Sequence, residues 1–181
     1  MDKKEIRSHI RKFTNALNAA DKALQATDVS EQLYDIIALH KPNLIAAFMP
    51  MKDEIAINIA HLSRLCRVAI PRITCNTDGE ASMEFYDYRP SDICSGAYGI
   101  DEPQGSEIIP PDKIDIMIQP GVAFTLQGDR LGRGKGFYDR YTSREGFRAY
   151  CIGVCFKHQV LDELPTEPHD RRVNKVITSR E

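Results

Sequence analysis

The sequence predicts an α/β fold in a single domain, a largely parallel sheet with helices on both faces in the Rossmann-like three-layer manner. Two observations lead there. Short apolar runs of buried-strand type, at 43–49, 67–70, 114–118 and 149–156, alternate with segments of helical period, and such alternation implies parallel strands joined by covering helices. A chain of 181 residues buries roughly 70% of its unfolded surface on folding. No linker or low-complexity tract divides it, so 1–181 is expected to be one domain.

The elements follow in order. Ile6, Ile10, Phe13 and Leu17 form one apolar stripe and predict a helix over 3–16. Lys3, Arg7 and Arg11 fan out from its border. Lys3 and Arg7 lie beside the buried seam, either facing a ligand at the edge of the core or forming a solvated basic face. A second helix is expected over 18–39, with Ala23, Leu24, Leu33, Ile36 and Ile37 as its apolar members. The strand at 43–49 is followed by a helix at 54–65 and a strand at 67–70 bounded by Pro71. Residues 83–88 alternate and read as an antiparallel or edge strand. Pro90, Gly96, Gly99, Pro103, Gly105, Pro110 and Pro111 make 89–112 a surface loop. The strands at 114–118 and 149–156 flank a helix that opens near Gly136.

Composition excludes several classes. Hydrophobic residues at 42% and charged residues at 28% argue against disorder. The longest apolar stretch, 44–51, is far short of the ~20 residues of a membrane helix, and the charged N-terminus carries no secretory signal, so a soluble, cytoplasmic protein is expected. Lys plus Arg number 24 against 26 for Asp plus Glu, leaving no general field for nucleic acid or an anionic membrane. The five cysteines contain no C-x-x-C, which argues against a disulfide framework or zinc ribbon. Cys151 and Cys155 are expected to be buried core thiols. His9, His40, His61, His158 and His169 make no recognisable zinc set, and His169 reads as an incidental loop residue.

The chemistry concentrates at 120–140. After a strand ending at Pro120 come Gly128, Gly132, Gly134 and Gly136, with Arg133 and Lys135 between the last three. Glycines let successive backbone N–H groups turn toward an anion, and a helix N-terminus adds partial positive charge. The pattern describes a phosphate cradle with two mobile cations; the alternative is a Gly-rich hairpin. It is neither a Walker A loop, whose required positions hold Asp129 and Gly136, nor G-x-G-x-x-G.

Pro120-Gly121, Phe124, Gly128, Arg130-Leu131-Gly132, Gly134, Gly136, the aromatic pair Phe137-Tyr138 and Asp139 resemble the hallmark of the 5-formyltetrahydrofolate cyclo-ligase family, also called 5,10-methenyltetrahydrofolate synthetase. Lys3 and Arg7 match its N-terminal basic pair, Glu54 a glutamate after its first core strand, and Gln159, Pro165, Asp170 and Val173 its ending. Phe137 stands where tyrosine is common, and Thr125 where aspartate is frequent.

The resemblance implies that ATP and 5-formyltetrahydrofolate become 5,10-methenyltetrahydrofolate, ADP and phosphate. Arg133 and Lys135 would neutralise the transferring phosphoryl. ATP would be held by Lys3, Arg7, Arg130, Leu131, Gly132, Arg133, Gly134, Lys135, Gly136, Phe137 and Tyr138. Folate would meet Met49, Glu54, Phe137 and the same loop at Arg133, Gly134, Lys135 and Gly136, with Glu54 on the pterin edge. Mg2+ would take Asp139 and Asp170. Without the resemblance, Glu54 reads as a helix N-terminal charge, Asp139 as a partner of Arg140 or a helix N-terminal charge, and Asp170 as a solvated loop charge. The expected partners are these small molecules, with no nucleic acid and no membrane, and a monomer. The alternatives are a non-catalytic folate- or nucleotide-binding relative and, more weakly, a nucleic-acid-binding module.

Overall fold

The computed structural model describes residues 1–75, 79–96, 99–105 and 107–180. Its elements are α1 (Lys3–Ala16), α2 (Ala19–His40), β1 (Leu44–Ala46), α3 (Ile59–Leu65), β2 (Arg67–Cys75), β3 (Ala81–Asp87), β4 (Ile93–Ser95), β5 (Asp101–Pro103), β6 (Ile116–Pro120), β7 (Ala123–Phe124), β8 (Arg130–Leu131), α4 (Phe137–Thr142), β9 (Tyr150–Val154) and β10 (Lys175–Ile177). Six strands form one sheet in the order β10-β9-β6-β1-β2-β3. All neighbours are parallel except β3, which returns antiparallel along β2 at the edge, as its alternation predicts. Helices α2 and α3 cover one face through Val29, Leu33, Ile37 and Leu62 on Ile45, Ile70 and Ile118. The α4 segment covers the other through Tyr141 on Phe85, Met117 and Cys151. The three-layer α/β arrangement is therefore present.

Helix α1 begins in a capping box, with Asp2 accepting from Glu5 N and Glu5 accepting from Asp2 N, each at 2.8 Å. Its buried face is Ile6, Ile10 and Thr14. Phe13, expected on that stripe, is 53% exposed and lies 4.8 Å from the His9 ring, because a spacing of four from Ile10 falls on Thr14. In α2 the buried set is Ala26, Val29, Ser30, Leu33 and Ile37, so Ala23 and Leu24 sit outside it and Ile36 only packs partly buried against it.

The third helix departs most from expectation. It starts at Ile59 with Asn58 as cap, whose Oδ1 accepts from His61 N at 2.9 Å, rather than at Glu54. Ile55, Ile57 and Ile59 are buried alternately, the period of extended chain. Glu54 therefore closes a turn instead of opening a helix. Strand β2 continues through Pro71 to Cys75, since β1 pairing ends at Ala69 and the missing N–H costs no bond to β1. The 89–112 loop contains the ribbon β4–β5; residues 97, 98 and 106 lie outside the described residues. Strand β10 was not expected, its three residues being too short to show a period.

Cys151 and Cys155 are buried as expected, and burial pushes their thiols up to about 11 and about 12. No helix among the described residues is long and apolar enough to cross a membrane. The chain leaves β1 toward β2 on one side and returns to β6 on the other. Such a reversal opens a crevice at the carboxyl ends of the strands, and the loops after β1 and β6 meet there.

Candidate functional site

The short hairpin β7–β8 carries the glycine loop away from β6. It is shaped by close packing. A Cβ at Gly121 would stand 2.5 Å from the Phe124 ring, and one at Gly153 would also strike that ring. At Gly128, φ is 96° and a Cβ would run into the carbonyl oxygen of Val173, whose N–H donates to Gly128 O at 2.9 Å. Gln159 donates to Gly121 O and Val122 O at 3.2 and 2.9 Å while accepting from Phe156 N at 2.7 Å. Thr125 Oγ1 donates to Asp129 Oδ2 at 3.0 Å and accepts from Asp129 N at 3.1 Å. The carboxylate at this turn thus comes from Asp129, four residues beyond Thr125.

On this frame α1 docks, with Ile6 and Ile10 on Ala123 and Leu131. That docking sets Arg7 against the loop, where its Nε donates to Gly132 O at 2.8 Å. A Cβ at Gly134 would come within 3.6 Å of the Arg7 guanidinium; φ is 95° at Gly134 and 64° at Gly136, backbone that glycine adopts without strain. Helix α4 has six residues and no side-chain cap at Gly136.

The two cations in the loop differ in their engagement. Arg133 Nη1 and Nη2 donate to Asp53 at 3.1 and 2.6 Å, while Nε and Nη2 donate to Glu54 Oε1 at 3.1 and 3.0 Å. Burial opposes the Arg133 charge, but these carboxylates outweigh it and its pKa is raised; Asp53, also opposed by burial, is held below its usual value by Arg133 and Arg11. The other Glu54 oxygen accepts from Met51 N at 3.0 Å. Lys135 is exposed; its carbonyl accepts from Arg140 Nη1 at 2.8 Å, and its ammonium has no ion-pair partner among the described residues. Burial, reinforced by Glu54, raises the Tyr138 pKa.

Arg130 is turned inward, its side chain 4% exposed. Its Nη2 donates to both Asp139 oxygens at 3.1 and 3.0 Å, and Nη1 to Pro120 O at 3.3 Å. Asp139 also accepts from Arg171 N at 3.1 Å. The ion-pair partner of Asp139 is thus Arg130 rather than Arg140. Asp170 pairs with Lys3 at 2.7 Å; burial would raise its pKa, but the Lys3 hydrogen bond and charge lower it. Glu167 lies 3.5 Å from the same ammonium. Among the described residues, Glu167, His169 and Asp170 form the cluster with metal-ligand spacing.

Lys3, Arg7, Glu54, Arg133, Gly132, Gly134, Asp139 and Asp170 are therefore joined by direct contacts or by neighbouring chain along one edge. Leu131 is buried beneath α1. Met49 packs toward the α2–α3 core. Phe137 packs on the α4 side, where it lines a cleft of about 250 Å³ with Met83, Tyr141, Arg140 and Arg144. The expected walls of a single pocket thus stand toward opposite faces of the sheet. Asp53, not singled out from the sequence, and Arg11, read there only on the border of the α1 stripe, line a second, narrow cleft with Arg7 and Arg133. The helical spacing of Arg11 from Arg7 was the available signal; nothing local pointed to Asp53.

Comparison with known proteins agrees with this architecture. The model of the 5-formyltetrahydrofolate cyclo-ligase family matches residues 1–179. The chain is 32% identical over 143 residues to a 5-formyltetrahydrofolate cyclo-ligase of Mycolicibacterium smegmatis, covering 75% of this chain and 73% of that one. It is 26% identical over 201 residues to the protein of that name from Saccharomyces cerevisiae, covering 97% and 94%. The NMR structure of 5,10-methenyltetrahydrofolate synthetase from Aquifex aeolicus superposes with a TM-score of 0.84 at 28% identity, over all of this chain and 91% of the other. A family model matched over nearly the whole length, with the same fold beneath it, means that the chain belongs to the 5-formyltetrahydrofolate cyclo-ligase family and, with it, to the ligases.

Proposed function

We propose that the protein converts 5-formyltetrahydrofolate and ATP into 5,10-methenyltetrahydrofolate, ADP and phosphate. The observation that carries this reading is the junction of the glycine loop 132–136 with Arg7 of α1 at the carboxyl edge of β1 and β6. There a glycine-rich loop with positive φ at Gly134 and Gly136 meets the cations Arg7 and Arg133 without a Walker loop. The N-formyl oxygen is a poor leaving group. Transfer of the γ-phosphoryl to that oxygen, with ADP departing, makes it a good one. The 10-nitrogen then attacks the formyl carbon, closes the five-membered ring and, as its N–H proton passes to the departing phosphate or to water, expels phosphate. Because attacker and acceptor belong to one molecule, closure gains from proximity, with effective molarities up to ~10⁵ M or more in well-oriented cases. The protein's task is then to hold the phosphates and stabilise charge on the transferring group. Arg133 and Lys135 serve the phosphoryl group, Lys3 and Arg7 the nucleotide, and Glu54 accepts from the pterin edge. Tyr138 stays a neutral phenol.

Mg2+ suits the oxygen donors present. Asp170 already attracts a cation in Lys3, and Asp139, with three hydrogen bonds received, retains one of about four acceptor sites. One or two carboxylates are enough for an ion that keeps most of its waters. When bound, it supplies charge neutralisation beside the phosphates.

The test is methenyl absorbance from purified protein and 5-formyltetrahydrofolate, with and without ATP and Mg2+. Product is expected only with both. Product without ATP would refute phosphoryl activation; product in chelator would remove Asp139 and Asp170 from any metal role.

A further inference from the structure

Arg133 has five N–H bonds, and in this structure four are given to carboxylates. Glu54 takes the side edge made by Nε and Nη2. Asp53 takes the end edge made by Nη1 and Nη2 through both its oxygens. One Nη1 hydrogen remains. A guanidinium grips a phosphate best through two parallel N–H bonds, and with both edges taken Arg133 can offer no such pair. One carboxylate has to yield.

The two are not equally free to do so. The Glu54 side chain is 9% exposed and tied by its second oxygen to Met51 N. The Asp53 side chain is 27% exposed, and its side-chain partner is Arg133 alone among the described residues. Asp53 also lines a cleft with Arg7, Arg11 and Arg133. Asp53 is the one carboxylate that lines this narrow cleft among the described residues, and a phosphate reaching the end edge of Arg133 would bring the same sign of charge beside it.

We propose that Asp53 is a positioning residue that holds the end edge of Arg133 and competes for it with the nucleotide phosphate. Asp53 keeps the guanidinium extended over the loop and sets the affinity at which ATP captures it. The proposal rests on the reading that Arg133 meets the nucleotide, and it adds to that reading the group that ATP displaces.

The experiment measures ATP affinity by calorimetry and KM for ATP in the methenyl assay, for wild type, Asp53→Asn, Asp53→Ala and Arg133→Ala. Releasing a partly exposed ion pair is expected to tighten ATP binding about fivefold in both Asp53 variants. KM for ATP should fall without a rise in kcat. Melts with and without ATP separate this from a structural role: loss of a mere surface contact lowers both melts equally, whereas competition enlarges the ATP-induced rise. Unchanged or weaker ATP binding in both Asp53 variants, with wild type binding normally, overturns the competition alone. Wild type that neither binds ATP nor forms product, or Arg133→Ala that binds ATP as wild type does, overturns the parent reading and the proposal with it.

Discussion

Asp139→Asn separates a structural carboxylate from a purely ligand-facing one. The Arg130 guanidinium beneath it is 4% exposed, and Asp139 is its only carboxylate partner among the described residues, through bonds of 3.1 and 3.0 Å. Its Nε is already buried without a partner. The amide keeps one acceptor oxygen but turns an NH2 toward the cation. Removing one partner of a buried pair costs about 3–5 kcal/mol, and the retained oxygen reduces this to about 2–4 kcal/mol. For a chain of this length each kcal/mol moves Tm by roughly 2–4 °C, so a fall of about 5–15 °C is expected. Asp170→Asn is the contrast. Its partner Lys3 is 21% exposed and it is itself 19% exposed, so solvent screening leaves a loss below about 1 kcal/mol. Both variants are melted in chelator without nucleotide or folate, so that ligand binding cannot contribute. An Asp139→Asn melt within about 2 °C of wild type, or an equal fall in Asp170→Asn, would refute the reasoning.

Two further outcomes follow from the same geometry. Lys135→Ala should lower turnover about a hundredfold, the scale of losing one preorganised charge-stabilising donor, and should leave the melt unchanged because its ammonium pairs with nothing among the described residues; turnover within about threefold of wild type would remove it from the reaction. In native protein, iodoacetamide should label Cys75 and Cys94, which are exposed, and spare Cys151 and Cys155. The buried pair is kept neutral by burial, with pKa values pushed up to about 11 and about 12 from 9.0. Their contribution to stability is accordingly present below about pH 9 and lost as pH rises toward those values, and alkaline melts should show that sign.

What could be read from the sequence divides along physical lines. The buried strands at 43–49, 67–70, 114–118 and 149–156 were legible because sheet burial on both faces writes a continuous apolar run. The edge position of β3 was legible in its alternation. Helix α3 was misplaced because Ile55, Ile57 and Ile59 also fit a loose helical count, and only the alternation of burial with the Asn58 cap separates the two. Strands β4, β5 and β10, of three residues each, are shorter than any period. At the site, glycine spacing was informative because φ near 95° at Gly128 and Gly134 nearly demands glycine. The ion pairs were not: Arg133 meets Asp53 across 80 positions, and no local pattern records such a meeting.

The motif itself mixes two kinds of residue that a linear reading cannot part. Gly121, Phe124, Gly128, Arg130, Gln159 and Val173 are occupied with one another, through ring contacts, carbonyl bonds and the buried pair to Asp139. Arg7, Arg133 and Lys135 carry their charge at the surface of that frame. A linear pattern shows both groups alike, since under the proposed function a loop that presents backbone N–H groups to a phosphate needs a rigid support as much as it needs cations. Arg130 shows the consequence. As a cation in a phosphate-binding motif it reads as a ligand contact, yet its burial and its bonds to Asp139 and Pro120 O make it the support that ties β8 to α4 and to the end of β6. Under the proposed function, the cations left to meet a nucleotide at this edge are Arg7, Arg133, Lys135 and, once released from Asp170, Lys3, while the inward arginine acts through the position of Asp139.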